Sequence, residues 1–168
     1  MSMAETVELD LPPTWSAIQP VWAPCHNALI RGGLAEDEAY SLSMVAQELL
    51  ENAVKYGDAA SPRPIHLSIS LTPAEVTIEV KNRVAVADVE LTRFDRAIQW
   101  LRSYQDPFEA YVERLKLVSA ESYRGGQSGL GLARIAYEAN CLVDFYVDEE
   151  STLAVSAVYT RPRAPRPE

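Results

Sequence analysis

The sequence is poor in cysteine, in glycine and in positive charge, and each shortage removes a class of protein. Two cysteines, Cys25 and Cys141, stand in 168 residues. That is too few for a disulfide framework or a cysteine-built metal site. As small hydrophobes they suit a core, and they fit a reducing cytoplasm. Fifteen basic residues face 24 acidic ones, for a net charge of −9. A broad nucleic-acid footprint needs a basic face, so nucleic acid is not the expected partner. A nucleotide is not excluded, because one magnesium ion and a helix N-terminus hold phosphates locally. No apolar run is long enough to span a bilayer. The start, Met1 to Asp10, is acidic and lacks the basic-then-apolar layout of a signal peptide. Only seven glycines occur. Gly32, Gly33 and Gly57 stand where helical patterns stop, and the other four crowd into Gly125-Gly126-Gln127-Ser128-Gly129-Leu130-Gly131.

What is present is an ordinary soluble composition, 48% hydrophobic and 23% charged, enough for one real core. Residues 1–160 read as one domain. Residues 161–168 carry no apolar anchor and read as a disordered tail. Thr6 to Leu11 alternates as a first strand, ended by Pro12-Pro13. Trp15, Ile18, Trp22 and Leu29 make a helical pattern broken by Pro20 and Pro24, so one kinked helix or a turn followed by a helix is expected. His26 within it reads as a packing or surface residue. From near Leu34 to Gly57 runs the longest amphipathic pattern, with Glu36, Asp37 and Glu38 suited to a helix N-terminus.

Ile65 to Leu71 and Val76 to Val80 alternate as a hairpin with one buried face. Two helices follow over about 88–120, the second opened by Asp106-Pro107-Phe108-Glu109. A helix over about 130–139 and a hairpin of Cys141 to Val147 with Leu153 to Tyr159 complete the chain. The expected class is α+β, a two-layer α/β sandwich of a mixed, mostly antiparallel sheet with helices on one face.

Two stretches carry chemistry. On the long helix Leu42, Val45, Leu49 and Ala53 form one apolar stripe, and Glu48 and Asn52, four apart, sit at its edge. A solvated helix rim would show the same spacing. The second stretch is the glycine-rich run from Gly125 to Gly131, which flows into the apolar helix from Leu130. Glycine admits close backbone approach, and a helix N-terminus presents unpaired N–H groups to phosphate. A flexible connector is the competing reading.

Together, Glu48-Leu-Leu-Glu-Asn52-Ala53 and the run Gly125 to Gly131 resemble the N-box and second glycine box of the histidine-kinase-like ATPase superfamily. That superfamily includes gyrase, MutL and sensor histidine kinases. The wording and size are most similar to its small branch of anti-sigma factors and serine kinases. The resemblance implies ATP and magnesium as cofactors. It implies Asn52 as the magnesium ligand and Glu48 as the catalytic acid/base. Lys55, Asn82, Arg124, Gly125, Gly126, Gly129, Leu130 and Gly131 become nucleotide-side residues. A simple Glu51–Lys55 pair, four apart, competes for Lys55. The implied partner is a small regulatory protein, anti-anti-sigma-like or sigma-like, and the implied location is the cytoplasm. Homodimers are common in the family.

The chain departs from the family where an Asp-x-Gly-x-Gly box is expected. Asn82-Arg83-Val84-Ala85-Val86 stands there instead. The Asn82 amide oxygen can still accept from an adenine amino group. Val84 and Val86 replace glycines and cannot supply positive φ cheaply, which counts against adenine specificity. Two functions therefore stand side by side. One is an ATP-dependent serine/threonine kinase and anti-sigma-like regulator. The alternative is a degenerate, non-catalytic member that binds a protein partner without ATP turnover.

Overall fold

The computed structural model of the protein describes residues 5–57, 61–84, 96, 99, 135, 139–148 and 150–162. Five strands form one sheet: β1 (Glu5–Leu11), β2 (Ile65–Leu71), β3 (Glu75–Arg83), β4 (Cys141–Val147) and β5 (Thr152–Thr160). Their order is β1-β2-β3-β5-β4, and every neighbouring pair is antiparallel. Three helices are described: α1 (Trp15–Ile18), α2 (Trp22–Arg31) and α3 (Glu36–Tyr56).

Strand alternation decides which sheet face the helices cover. Ile65, Leu67, Ile69 and Leu71 of β2, Val76, Ile78 and Val80 of β3, and Leu153, Val155 and Ala157 of β5 are all buried. Their register is aligned, with Ile69 opposite Ile78 and Ile78 opposite Ala157. The apolar stripe of α3, Leu42, Val45, Ala46, Leu49, Leu50 and Ala53, joins them in one cluster. Each large aliphatic so buried contributes about 1.5–3 kcal/mol. Ile135 is helical, fully buried and part of the same core. The other sheet face is polar over β1 to β3, while at β4 it exposes Leu142 and Tyr146. His66 Nδ1 lies 2.7 Å from Asp10 Oδ1, and Lys81 Nζ lies 3.4 Å from Glu79 Oε1.

The broken helical pattern resolves into α1, a 3₁₀ turn over Gln19–Val21, and α2. Pro20 and Pro24 have no N–H to give, so the run cannot hold one unbroken ladder. Thr14 caps α1, its Oγ1 accepting from the Ala17 N–H at 3.3 Å. At the far end Gly33 takes φ +88. The Leu34 and Gly33 N–H groups bond back to the carbonyls of Leu29 and Ile30. This left-handed stop turns the chain sharply into α3.

The first turn of α3 holds Glu36, Asp37 and Glu38. Glu38 Oε2 accepts from the Ala35 N–H at 3.0 Å, satisfying one unpaired donor of the helix start. Glu38 Oε1 accepts from the Tyr159 hydroxyl at 2.7 Å, tying β5 to the same turn. Burial, then that bond, pushes the Tyr159 phenol up to about 12. Cys25 and Cys141 are free and buried, and burial pushes their thiols up to about 11 and about 12.

The strand β3 is longer than the sequence pattern to Val80 indicates. It runs on to Arg83 because β5 keeps pairing with it, Asn82 opposite Leu153 and Arg83 opposite Thr152. Among the described residues no helix is long and apolar enough to cross a membrane.

Candidate functional site

At about 100° per residue, α3 divides into a buried stripe and two flanks. One flank carries Glu36, Tyr40 and Gln47 and meets α2. There Tyr40 packs edge-on against Trp22 with ring centroids 5.7 Å apart, and His26 Nε2 lies 2.9 Å from Glu36 Oε1. The His26–Glu36 approach is an ion-pair distance without hydrogen-bond alignment, for His26 Nε2 is buried and unbonded. The other flank carries Glu48, Asn52 and Lys55, away from α2. The spacing of the N-box residues thus sets them on the side of α3 opposite its contact with α2.

Glu48 and Asn52 are half-buried, one helical turn apart. Glu48 is engaged with a neighbour. The Asn52 amide has no hydrogen-bond partner among the described residues. Lys55 is exposed and makes no ion pair with Glu51, so the competing i,i+4 explanation is not realised.

Asn82 lies at the same end of the molecule. It continues the buried alternation of β3, following Val76, Ile78 and Val80, and is 6% exposed. Its Nδ2 donates to the Arg83 carbonyl at 3.3 Å. A polar residue on a core face needs such a partner, because an unbonded buried amide costs about 1–3 kcal/mol. Val84 also points inward, 2% exposed, with its N–H bonded to the Ser151 carbonyl at 2.9 Å. Val84 does not take positive φ; among the described residues Asn140, Ser151 and Gly33 do. At this position a side chain packs into the core instead of giving the bend that glycine allows.

Gly57 joins these two halves, a role its reading as a helix stop had missed. A Cβ there would stand 2.5 Å from the Ala53 carbonyl oxygen and 3.1 Å from Asn82 Nδ2. The φ of Gly57 is −70, so what this site requires is space rather than a left-handed backbone. The end of α3 therefore rests directly against the Asn82 amide. Gln47 is a second residue the pattern did not single out. Its Oε1 is buried without a hydrogen-bond partner, on the flank towards α2. The remaining predicted site residues, Arg124, Gly125, Gly126, Gly129, Leu130 and Gly131, lie outside the described residues. So do the helical insertion over 88–120, apart from helical and exposed Arg96 and Gln99, and the tail over 163–168.

The sequence model of the histidine kinase-like ATPase domain matches residues 11–137. The chain belongs to the histidine kinase-like ATPase family. The match takes in α1 to α3, β2 and β3, and both Glu48 and Asn52. Among solved structures, the fold is similar to a chain in the crystal structure of the SiaB-SiaC complex from Pseudomonas aeruginosa. The TM-score is 0.70 at 18% sequence identity, over 91% of this chain and 88% of that one. No curated protein matches the sequence. For a histidine kinase-like ATPase, the donor set on α3 suits the phosphate end of a nucleotide. A hard cation such as magnesium takes oxygen ligands and keeps several waters, so an amide oxygen beside a carboxylate is a fitting start.

Proposed function

We propose that this chain is an ATP-binding regulatory protein of the partner-switching kind. It acts on a small protein partner as an anti-sigma factor or serine/threonine kinase does. The observation that carries the reading is the pairing of half-buried Glu48 and Asn52, one turn apart on the flank of α3 away from α2, within a histidine kinase-like ATPase domain. In this reading residues 1–160 work as one domain, with the insertion over 88–120 inside it. Asn52 holds magnesium, and the metal when bound neutralises phosphate charge. Glu48 accepts a proton from the attacking hydroxyl, the role of a half-buried carboxylate close to a nucleophile. Lys55, Asn82 and the turn Arg124, Gly125, Gly126, Gly129, Leu130 and Gly131 line the nucleotide. The similar chain of known structure comes from a two-protein complex, which supports a small protein as the partner. The setting is the cytoplasm, and a homodimer is compatible with the family.

A second reading rests on Val84. Its burial, at the position that the resemblance gives to glycine, favours a member that binds a partner without turning ATP over. Calorimetry with magnesium and ATP, on wild type and Asn52→Ala, separates the two. Micromolar binding that the substitution abolishes supports the nucleotide reading. No heat up to millimolar ATP removes it and leaves the partner-binding reading.

A further inference from the structure

The start of α3 is tied to the sheet by directed side-chain hydrogen bonds. The Tyr159 hydroxyl, near the end of β5, donates to Glu38 Oε1 at 2.7 Å, while Glu38 Oε2 accepts from the Ala35 N–H at 3.0 Å. Two residues further on, Arg161 makes a second tie. Its backbone N–H donates to the Ala74 carbonyl at 2.8 Å, and its Nη1 donates to the Thr72 carbonyl at 3.1 Å, both in the turn between β2 and β3. Its Nη2 donates to the Gly33 carbonyl at 3.4 Å, in the left-handed corner between α2 and α3. The end of β5 thus grips that corner on both sides, at Gly33 before α3 and at Glu38 in its first turn.

These bonds constrain what the core contacts leave loose. Between its ends α3 joins the core through aliphatic Leu42, Val45, Leu49 and Ala53. Apolar burial is non-directional, whereas a hydrogen bond weakens steeply away from its preferred distance and angle. A small slide of α3 along its axis keeps much of the apolar area covered but breaks the Tyr159–Glu38 bond. The same slide is felt at the other end. A Cβ on Gly57 would stand 3.1 Å from Asn82 Nδ2, so the end of α3 lies against that amide. One strand reaches both places, since β5 holds the start of α3 through Tyr159 and sets Leu153 opposite Asn82. A helix of 21 residues is about 30 Å long, and rigid elements of this kind carry a displacement from one end to the other.

We propose that Tyr159 and Arg161 are positioning residues, which set where α3 stands along its axis and so where Glu48 and Asn52 stand relative to Asn82. The effect on Asn82 is independent of any ligand; the effect on ATP rests on the nucleotide reading of Glu48 and Asn52. The test compares Tyr159→Phe and Arg161→Gln with Tyr40→Phe in the full chain. Tyr40→Phe removes the same hydroxyl from exposed Tyr40, two residues along α3 from Glu38, and leaves both ties intact. In nuclear magnetic resonance spectra without ligand, Tyr159→Phe and Arg161→Gln should each move the Gly57 backbone amide and the Asn82 side-chain amide, and Tyr40→Phe should move neither. A merely structural loss would shift only the neighbours of the substitution, around residues 33–38, 72–75 and 159–161. In calorimetry with magnesium and ATP the two variants should bind about three-fold more weakly than wild type, a size typical of changes carried along a packed network. Circular dichroism melts check that each variant is folded, and either variant alone suffices. Unmoved Gly57 and Asn82 resonances in a folded variant, or equal movement in Tyr40→Phe, would overturn the assignment. If wild type gives no heat with ATP, the nucleotide reading fails by itself, and the resonances still decide the positioning role.

Discussion

The two faces of the sheet show how differently neighbouring residues are used. Ile78 is fully buried between Ile69 and Ala157, while Glu79, next along β3, looks out and pairs with Lys81. The inner face is aliphatic and specified residue by residue. Over β1 to β3 the outer face is a set of short polar contacts, such as His66 between Asp10 and Glu8, that water can replace. Inner order therefore holds the fold, and the one polar residue set on the inner face of β3, Asn82, stands out as the place where packing yields to something else.

The sharpest break of the comparison is Ile78→Ala against Asp10→Asn. The first removes three methyl-sized groups from a site with no room to collapse, and should cost about 2–5 kcal/mol in urea unfolding. The second opens a surface pair and should cost at most about 1 kcal/mol. Equal losses would mean that the outer face carries weight the contacts do not show. Next in size is Gly57→Ala. A methyl pressed against the Ala53 carbonyl and the Asn82 amide should cost about 1–3 kcal/mol and displace the Asn82 side-chain amide resonances. An unshifted amide would show that α3 does not bear on Asn82.

The smallest effect concerns alkaline pH. Cys25 and Cys141 rise from 9.0 to about 11 and about 12, and Tyr159 from 10.0 to about 12. The folded state holds these protons more tightly than the unfolded chain. Their stabilising contribution is complete below pH 9 and is lost as pH climbs through about 11 to 12. Tyr159→Phe should cost about 1 kcal/mol near neutrality by losing the bond to Glu38, and should flatten part of the decline above pH 10. A decline unchanged in the variant would assign it to the thiols.

Much of this architecture was legible in the letters. Alternation in Ile65 to Leu71 and Leu153 to Tyr159 gave inner and outer faces, because strand period is fixed by backbone geometry. The stripe Leu42, Val45, Leu49 and Ala53 set α3 on the sheet and put Glu48 and Asn52 at its margin. The strand order, with β5 between β3 and β4, was not legible, since pairing depends on contacts far apart in sequence. Nor was the true end of β3, because Asn82 and Arg83 look like a loop until Leu153 and Thr152 are seen opposite them. Gly57 read as a helix stop because its second duty, making room for Asn82, arises only when the two ends meet.

That strand order has a consequence for how the chain comes into being. Ile78 finds Ala157 across roughly 80 residues, and closing so long a loop costs about 2 kcal/mol more than closing one of ten. During synthesis β1, β2, β3 and α3 emerge well before β5. Until the C-terminal hairpin arrives, β3 is an uncapped edge whose unpaired N–H and C=O groups are open to whatever is near. Such an edge invites pairing between chains. The interval before residue 152 leaves the ribosome is thus the period in which this protein is most exposed to aggregation.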